Sequence, residues 1–185
     1  MQILKSVPNG ILWLLESNSS IVSNYKSEAA KQGVNPDRII FSKFLNNHDE
    51  HLSRYTLADL FLDTFPVNAH TTAGDALWAG LPLLTRKGQC FSARVAASLL
   101  SAVGLPELIV KNDSEYISMA IELAKNPEKL KNLQQKLDKN KLTFPLFDTV
   151  RFSFNLEFAY QSVMSRYWNG YAPDHFSFAN QYDIP

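Results

Sequence analysis

The sequence predicts an open α/β fold, a parallel sheet with helices on both faces. Two observations carry this. Short apolar runs alternate with helically periodic segments as far as Val110, and the connections are brief and marked by Gly, Pro and Asn. Strands alternating with helices in this way build βαβ units, whose strands run parallel. No internal repeat appears that would suggest a solenoid instead.

The elements follow in order. Residues 1–10 read as the tail of a helix carrying Ile3 and Leu4, then a Pro-Asn-Gly turn. Such an opening is expected of a piece of a longer polypeptide. The run I-L-W-L-L at 11–15 is continuously apolar, the pattern of a strand buried on both faces. A Ser/Asn cluster caps a helix over 20–32, closed by Gly33 and Asn35-Pro36. R-I-I-F-S at 38–42 is a second strand. A polar loop follows, then a helix from Asp49 carrying His51, Arg54 and Leu57. Residues 59–65 form a third strand, 71–79 a helix ended by Gly80, and 81–85 a fourth strand. A helix over 92–103 stops at Gly104, and 107–110 is a fifth strand.

Beyond this point the pattern is helical only. Residues 113–125 and 127–141 are helices with Asp113 and Asn126 as N-caps, and 148–168 is a long amphipathic helix. The whole is a Rossmann-like domain over 1–168 with a tail at 169–185. Ligands of such sheets sit outside the carboxyl ends of the strands, which directs attention to the loops after Leu15, Ser42, Phe65 and Thr85.

Composition narrows the function. The 185 residues carry 18 basic and 18 acidic side chains, no excess of the kind a nucleic-acid partner demands. The single cysteine, Cys90, excludes an internal disulfide and reads as structural. No apolar stretch is long enough to span a bilayer and no signal peptide opens the chain, so a cytoplasmic location is expected. There is no G-x-G-x-x-G, no P-loop and no G-x-S-x-G elbow. No paired-histidine or Asp-x-Asp motif suggests a metal, and none is expected.

The richest segment is N-A-H-T-T-A-G-D-A-L-W-A-G at 68–80, which follows a strand and opens a helix. Thr71 and Thr72 fall on the first turn, where backbone N–H groups lack intrahelical partners. Those donors and the helix dipole favour an anion such as a diphosphate. His70 is placed to donate to a phosphate, and Asp75, one turn on from Thr71, to accept from sugar hydroxyls. A plain N-cap with a dipole-complementing acid fits the same spacing. In N-N-H-D-E-H-L-S-R at 46–54, His51 and Arg54 share a helical face. They suit stacking on a nucleobase and reaching its carbonyl edge, or simply a solvated helix start. Asp63 ends a strand as a receiver-domain aspartate does, but without the acidic pair, so a strand-end hydrogen-bonding role is expected. Trp13 and Trp78 read as core, and Arg94 as a surface or packing residue.

These residues resemble the C-terminal half of the catalytic region in the O-GlcNAc transferase and Spindly-like family. The resemblance is carried by V-P-N-G-I-L-W-L-L at 7–15, R-I-I-F-S at 38–42 and D-E-H-L-S-R at 49–54. It continues in the long run A-D-L-F-L-D-T-F-P-V-N-A-H-T-T-A-G-D-A-L-W-A-G-L-P at 58–82, then S-A-R-V-A-A-S at 92–98, G-L-P-E-L-I-V-K-N at 104–112 and Y-A-P-D-H at 171–175. It implies the C-terminal domain of a two-domain GT-B glycosyltransferase that is inverting and needs no metal. By resemblance His70, Thr71 and Thr72 contact the diphosphate, Asp75 the ribose, and His51 and Arg54 the uracil. Asn46, Asn47 and His48 supply backbone contacts to the base and a side chain near the ribose. Here His48 stands where animal members carry a lysine, in a loop one residue longer.

The resemblance places the catalytic residues, a diphosphate-binding lysine and tetratricopeptide repeats upstream of residue 1. The chain alone is therefore expected to bind nucleotide without turnover. H-T-T-A-G-D favours a UDP-sugar donor, UDP-GlcNAc first, with a protein acceptor. A GDP-fucose-using Spindly-like enzyme and a non-catalytic nucleotide-binding module are the alternatives.

Overall fold

The structure is a computed structural model and describes residues 1–175. Five strands and eight helices alternate in the expected order. They run α1 (Gln2–Ser6), β1 (Leu12–Leu15), α2 (Ser19–Lys31), β2 (Ile39–Ser42), α3 (His48–Tyr55), β3 (Phe61–Leu62) and α4 (Thr71–Trp78). Then come β4 (Leu83–Arg86), α5 (Val95–Ala102), β5 (Ile109–Val110), α6 (Asp113–Lys125), α7 (Pro127–Asn140) and α8 (Thr149–Trp168).

Every strand pair is parallel, as the βαβ pattern requires. β4 is the centre of a three-stranded sheet, β3-β4-β5. Its Leu83, Leu84 and Thr85 have no exposed surface. Leu83 faces a cluster with Leu77 of α4, Leu100 of α5 and Leu137 of α7, whereas Leu84 faces Val110 and Ala120 of α6. That opposition is the period-two alternation of a strand covered on both faces. Each of these leucines contributes about 2 kcal/mol by burial.

The sheet itself departs from expectation. β1 and β2 form a separate two-stranded sheet, with no hydrogen-bonded strand joining β1 to β3. β1 is consequently an edge and is not buried on both faces: Ile11 and Leu15 are exposed and Leu12, Trp13 and Leu14 half-buried. A smaller cluster of Leu4, Ala29, Val34 and Ile39 holds α1 and α2 against these two strands. Arg38 fixes the α1–β1 turn, donating from Nε to the Gly10 carbonyl at 2.8 Å and from Nη2 to that of Val7.

Asparagine caps set most helix starts. Asn18, Asn47, Asn112, Asn126 and Asp148 each accept a backbone N–H of the first turn of α2, α3, α6, α7 and α8. Asn112, not Asp113, caps α6, with Glu115 reaching back to the Lys111 amide at 2.9 Å. Gly33, Gly80 and Gly104 end helices with positive φ, where a side chain would strain the backbone. α3 stops at Tyr55, so Leu57 lies in the turn beyond it and is exposed.

No residue of α8 is buried, and Phe152, Tyr160, Val163 and Trp168 all lie exposed along it. Arg166 ties residues 171–175 back to α8 through the Ala172 carbonyl at 2.7 Å and Asp174 at 3.4 Å. The rest of the expected tail, 176–185, lies outside the described residues.

Candidate functional site

The carboxyl ends of β1 and β2 and Phe61 of β3 border a cavity of about 270 Å³ whose lining includes Trp13, Leu15, Ser42, His51, Arg54 and Thr72. Two of the expected segments meet here, because α3 packs against α4. Asn47 starts α3 by accepting from the Asp49 and Glu50 amides at 2.8 and 3.1 Å. One turn later the helix presents His51 and Arg54 inward, both half-buried.

The Arg54 guanidinium is an anchor. Nη1 donates to Ser42 Oγ at 3.1 Å and to the Lys43 carbonyl at 3.0 Å, which ties α3 to the end of β2. Nη2 lies 2.9 Å from His51 Nδ1. Arginine has no acceptor atom, so Nδ1 must accept, and the His51 ring proton sits on Nε2. That nitrogen is 3.7 Å from Asp75 Oδ2, both side chains being about one-fifth exposed. The separation exceeds a hydrogen bond, so Asp75 keeps acceptor capacity facing the cavity rim. Tyr55 lies edge-on to His51 at 5.1 Å. Burial, reinforced by the Asp75 carboxylate and opposed by Arg54, raises its phenol above the ordinary tyrosine value. The His48 ring lies 6.4 Å from that of His51, at 27° to it.

α4 differs from the five capped helices. Its N-cap residue is His70, in a backbone conformation outside the usual capping region and with no side-chain cap. Thr71 and Thr72 follow as exposed residues on the first turn. The uncapped N–H groups and the positive end of the helix dipole therefore face solvent beside the cavity. His70 packs edge-on against Phe91 at 5.9 Å.

The loop that delivers α4 is built on Asp63. At the end of β3, this buried side chain accepts from the Thr64 and Ala69 amides at 2.8 and 2.7 Å through Oδ1, and from Thr85 Oγ1 at 2.6 Å through Oδ2. Burial raises its pKa above the ordinary carboxylate value, with these hydrogen bonds opposing the shift. Tyr116 of α6 donates to its carbonyl at 2.9 Å, and burial pushes that phenol far above its usual range. Asp63 is thus the hydrogen-bonding residue expected at the strand end, with all its acceptors engaged in structure.

The structure brings His51, Arg54, Thr72 and Asp75 to one rim, with His70 and Thr71 at the adjoining helix start. Asn47 spends its side chain on the cap, while Asn46 and His48 are exposed on either side of it. Sequence reasoning missed Ser42, Tyr55 and Trp13 as neighbours of the site. Trp13 was expected in the core and lines the cavity instead; Trp78 is half-exposed against Phe147. Cys90 is exposed, not structural, and a hydrogen bond with Ser92 lowers its pKa. Arg94 is on the surface, as expected. Among the described residues, no group of three or more His, Cys, Asp or Glu side chains is placed to hold a metal ion. Nor is any helix long and apolar enough to cross a membrane.

Comparison with known proteins agrees on one family. Glycosyl transferase family 41 matches residues 1–156. A probable UDP-N-acetylglucosamine–peptide N-acetylglucosaminyltransferase SEC of Arabidopsis thaliana is 43% identical over 94% of this chain. The UDP-N-acetylglucosamine–peptide N-acetylglucosaminyltransferase of Caenorhabditis elegans is 35% identical over 95%. A solved mutant O-GlcNAc transferase of Thermobaculum terrenum superposes with a TM-score of 0.81 at 29% identity, covering 87% of this chain and 31% of that one. The chain spans only 18% and 15% of the length of the first two relatives.

Proposed function

We propose, from the premise that this chain belongs to glycosyl transferase family 41, that it is the donor-binding part of a protein glycosyltransferase. The donor is a UDP-sugar, UDP-GlcNAc being the first candidate from the names of its relatives. The reading rests above all on one observation: the uncapped start of α4 opens beside the His51–Arg54–Asp75 cluster.

In this reading the Thr71 and Thr72 amides and hydroxyls hold the diphosphate, with His70 donating from the flank. Pre-aligned N–H donors at a helix start stabilise the charge that grows on a leaving diphosphate, and no metal is required for that. Asp75 accepts from the ribose hydroxyls. His51 stacks its ring on the uracil, held by the Arg54 contact, while Arg54 Nε reaches the base edge and 46–48 line the mouth. Acceptor binding and the general base belong to other parts of the parent protein, so the chain alone binds the donor without transferring the sugar.

A calorimetric titration with UDP, GDP and uridine tests this. UDP binding well above GDP is the expected result. Tighter GDP binding would replace the uridine assignment with a guanine one, and binding of uridine as tight as UDP would remove the diphosphate site from α4.

A further inference from the structure

Two imidazole rings stand nearly parallel at the start of α3. His48 is the first residue of the helix and His51 lies one turn on, so their side chains leave the same face. The ring centroids are 6.4 Å apart and the planes 27° from parallel. Rings in full face contact have planes about 3.5–4 Å apart, so these two are not closed on each other. A planar group touching a ring on each side needs about 7 Å between them, two such contacts in series. The observed spacing falls just short of that.

The two rings are held very differently. His51 is half-buried and fixed, with Arg54 Nη2 2.9 Å from its Nδ1 and the Tyr55 ring edge-on at 5.1 Å. His48 is exposed, and among the described residues its ring makes no hydrogen bond. The backbone beneath it is nevertheless firm, because Asn47 Oδ1 accepts from the Asp49 and Glu50 amides. One wall is therefore rigid. The other turns freely about its side-chain torsions on a fixed base, and can open by the small amount a planar guest requires.

We propose that His48 and His51 form a two-walled slot for the base of the donor nucleotide, with His48 covering the face of the ring that His51 leaves open. The slot rests on the donor-binding reading above and adds a second aromatic wall to it. The order of groups across the site supports it. The uncapped first turn of α4 comes first, then Asp75 one turn further along that helix, then His51 Nε2 at 3.7 Å from Asp75 Oδ2, then the His48 ring. Diphosphate, ribose and base follow one another in that same order along a nucleotide. His48 has no other work in the fold, being exposed and unbonded, so its replacement reports on the ligand and not on stability.

Calorimetric titration of the 185-residue chain with UDP and with pyrophosphate, beside its His48→Ala and His48→Phe variants, tests the slot. His48→Ala should weaken UDP binding by about fivefold or more, the scale of one lost base–aromatic stack, and leave pyrophosphate binding unchanged. Phenylalanine stacks but neither donates nor accepts a hydrogen bond, so His48→Phe should bring UDP back to within about twofold of wild type. Three results would overturn the slot. Unchanged UDP affinity in His48→Ala would show that the second wall is idle. An equal loss for pyrophosphate would make His48 a phosphate contact. A loss that His48→Phe does not restore would make it a hydrogen-bonding partner of the ribose. In each of these cases the wild-type chain still binds UDP and the donor-binding reading stands, whereas a wild-type chain that binds no UDP would remove that reading and the slot together.

Discussion

Arg54 determines which nitrogen of His51 faces Asp75. By donating across 2.9 Å to Nδ1, the guanidinium leaves Nε2 as the proton-bearing atom, 3.7 Å from the Asp75 carboxylate. The same guanidinium grips the end of β2 through Ser42 and Lys43. The imidazole ring is thus oriented by the strand end that borders the cavity.

Replacing this anchor should therefore act on the ring. Arg54→Met is expected to weaken UDP binding by roughly 1.5–3 kcal/mol, the scale of a lost charged hydrogen bond. His51→Ala should lose base discrimination as well. Titrations with UDP and with pyrophosphate separate the effects: equal losses for both ligands would contradict a base-stacking role for His51.

Asp75 offers a sharper case. Asp75→Ala should lower UDP affinity by about 1–3 kcal/mol if the carboxylate pairs with the ribose. Uridine affinity should fall in parallel, since the ribose is common to both. Unchanged affinity would take Asp75 out of the site.

The first turn of α4 is expected to respond to the diphosphate alone. Thr72→Val keeps the shape and removes the hydroxyl, and the loss for UDP should be about 1 kcal/mol. Binding of uridine should be unaltered. A loss shared by uridine would show that the substitution has moved the helix.

The pH dependence of stability should carry the signature of Asp63. Its carboxyl is raised in the folded state by burial, so folding favours the protonated form. The stabilisation from this group is present below the unfolded value and is lost as pH rises through the folded one. Asp63→Asn removes that titration. In denaturant unfolding at a series of pH values, the wild type should gain on Asp63→Asn as the medium becomes acidic, and a constant difference would contradict this. Asp63→Ala leaves the Thr64 and Ala69 amides and the Thr85 hydroxyl without their acceptor, and should cost about 1–3 kcal/mol at neutral pH.

The alternation of elements was legible because punctuation and periodicity agree along the chain: Gly33, Gly80 and Gly104 stop helices where expected, and Asn126 and Asp148 start them. Lateral assembly was not. The run at 11–15 is as apolar as a doubly covered strand, yet nothing in it states which strand lies beside it, and β1 remains an edge. β3 shrank to Phe61–Leu62 because strand length depends on a partner on each side, and β3 has one. At the site, His51, Arg54, Thr72 and Asp75 could be read from helical spacing and strand ends. Ser42 could not, since it enters through a tertiary contact with the Arg54 guanidinium; Tyr55 lies one helical turn on from His51 within α3 and was open to the same spacing argument. Trp78 illustrates the same limit, as the helical pattern placed it inside and the fold left it half-exposed.

The bare start of α4 has a consequence for evolution and for engineering. Five helices of this chain begin under a side-chain cap, each such cap adding about 1 kcal/mol to stability. α4 forgoes that increment at a helix start that adjoins the His51–Asp75 cluster. A search for thermostable variants would find an Asp or Asn at this position attractive, and the gain would come from a side chain occupying the place proposed for the diphosphate. Stability selected there would be selected against binding, so thermal tolerance should be sought at the other seven helices and not at this one.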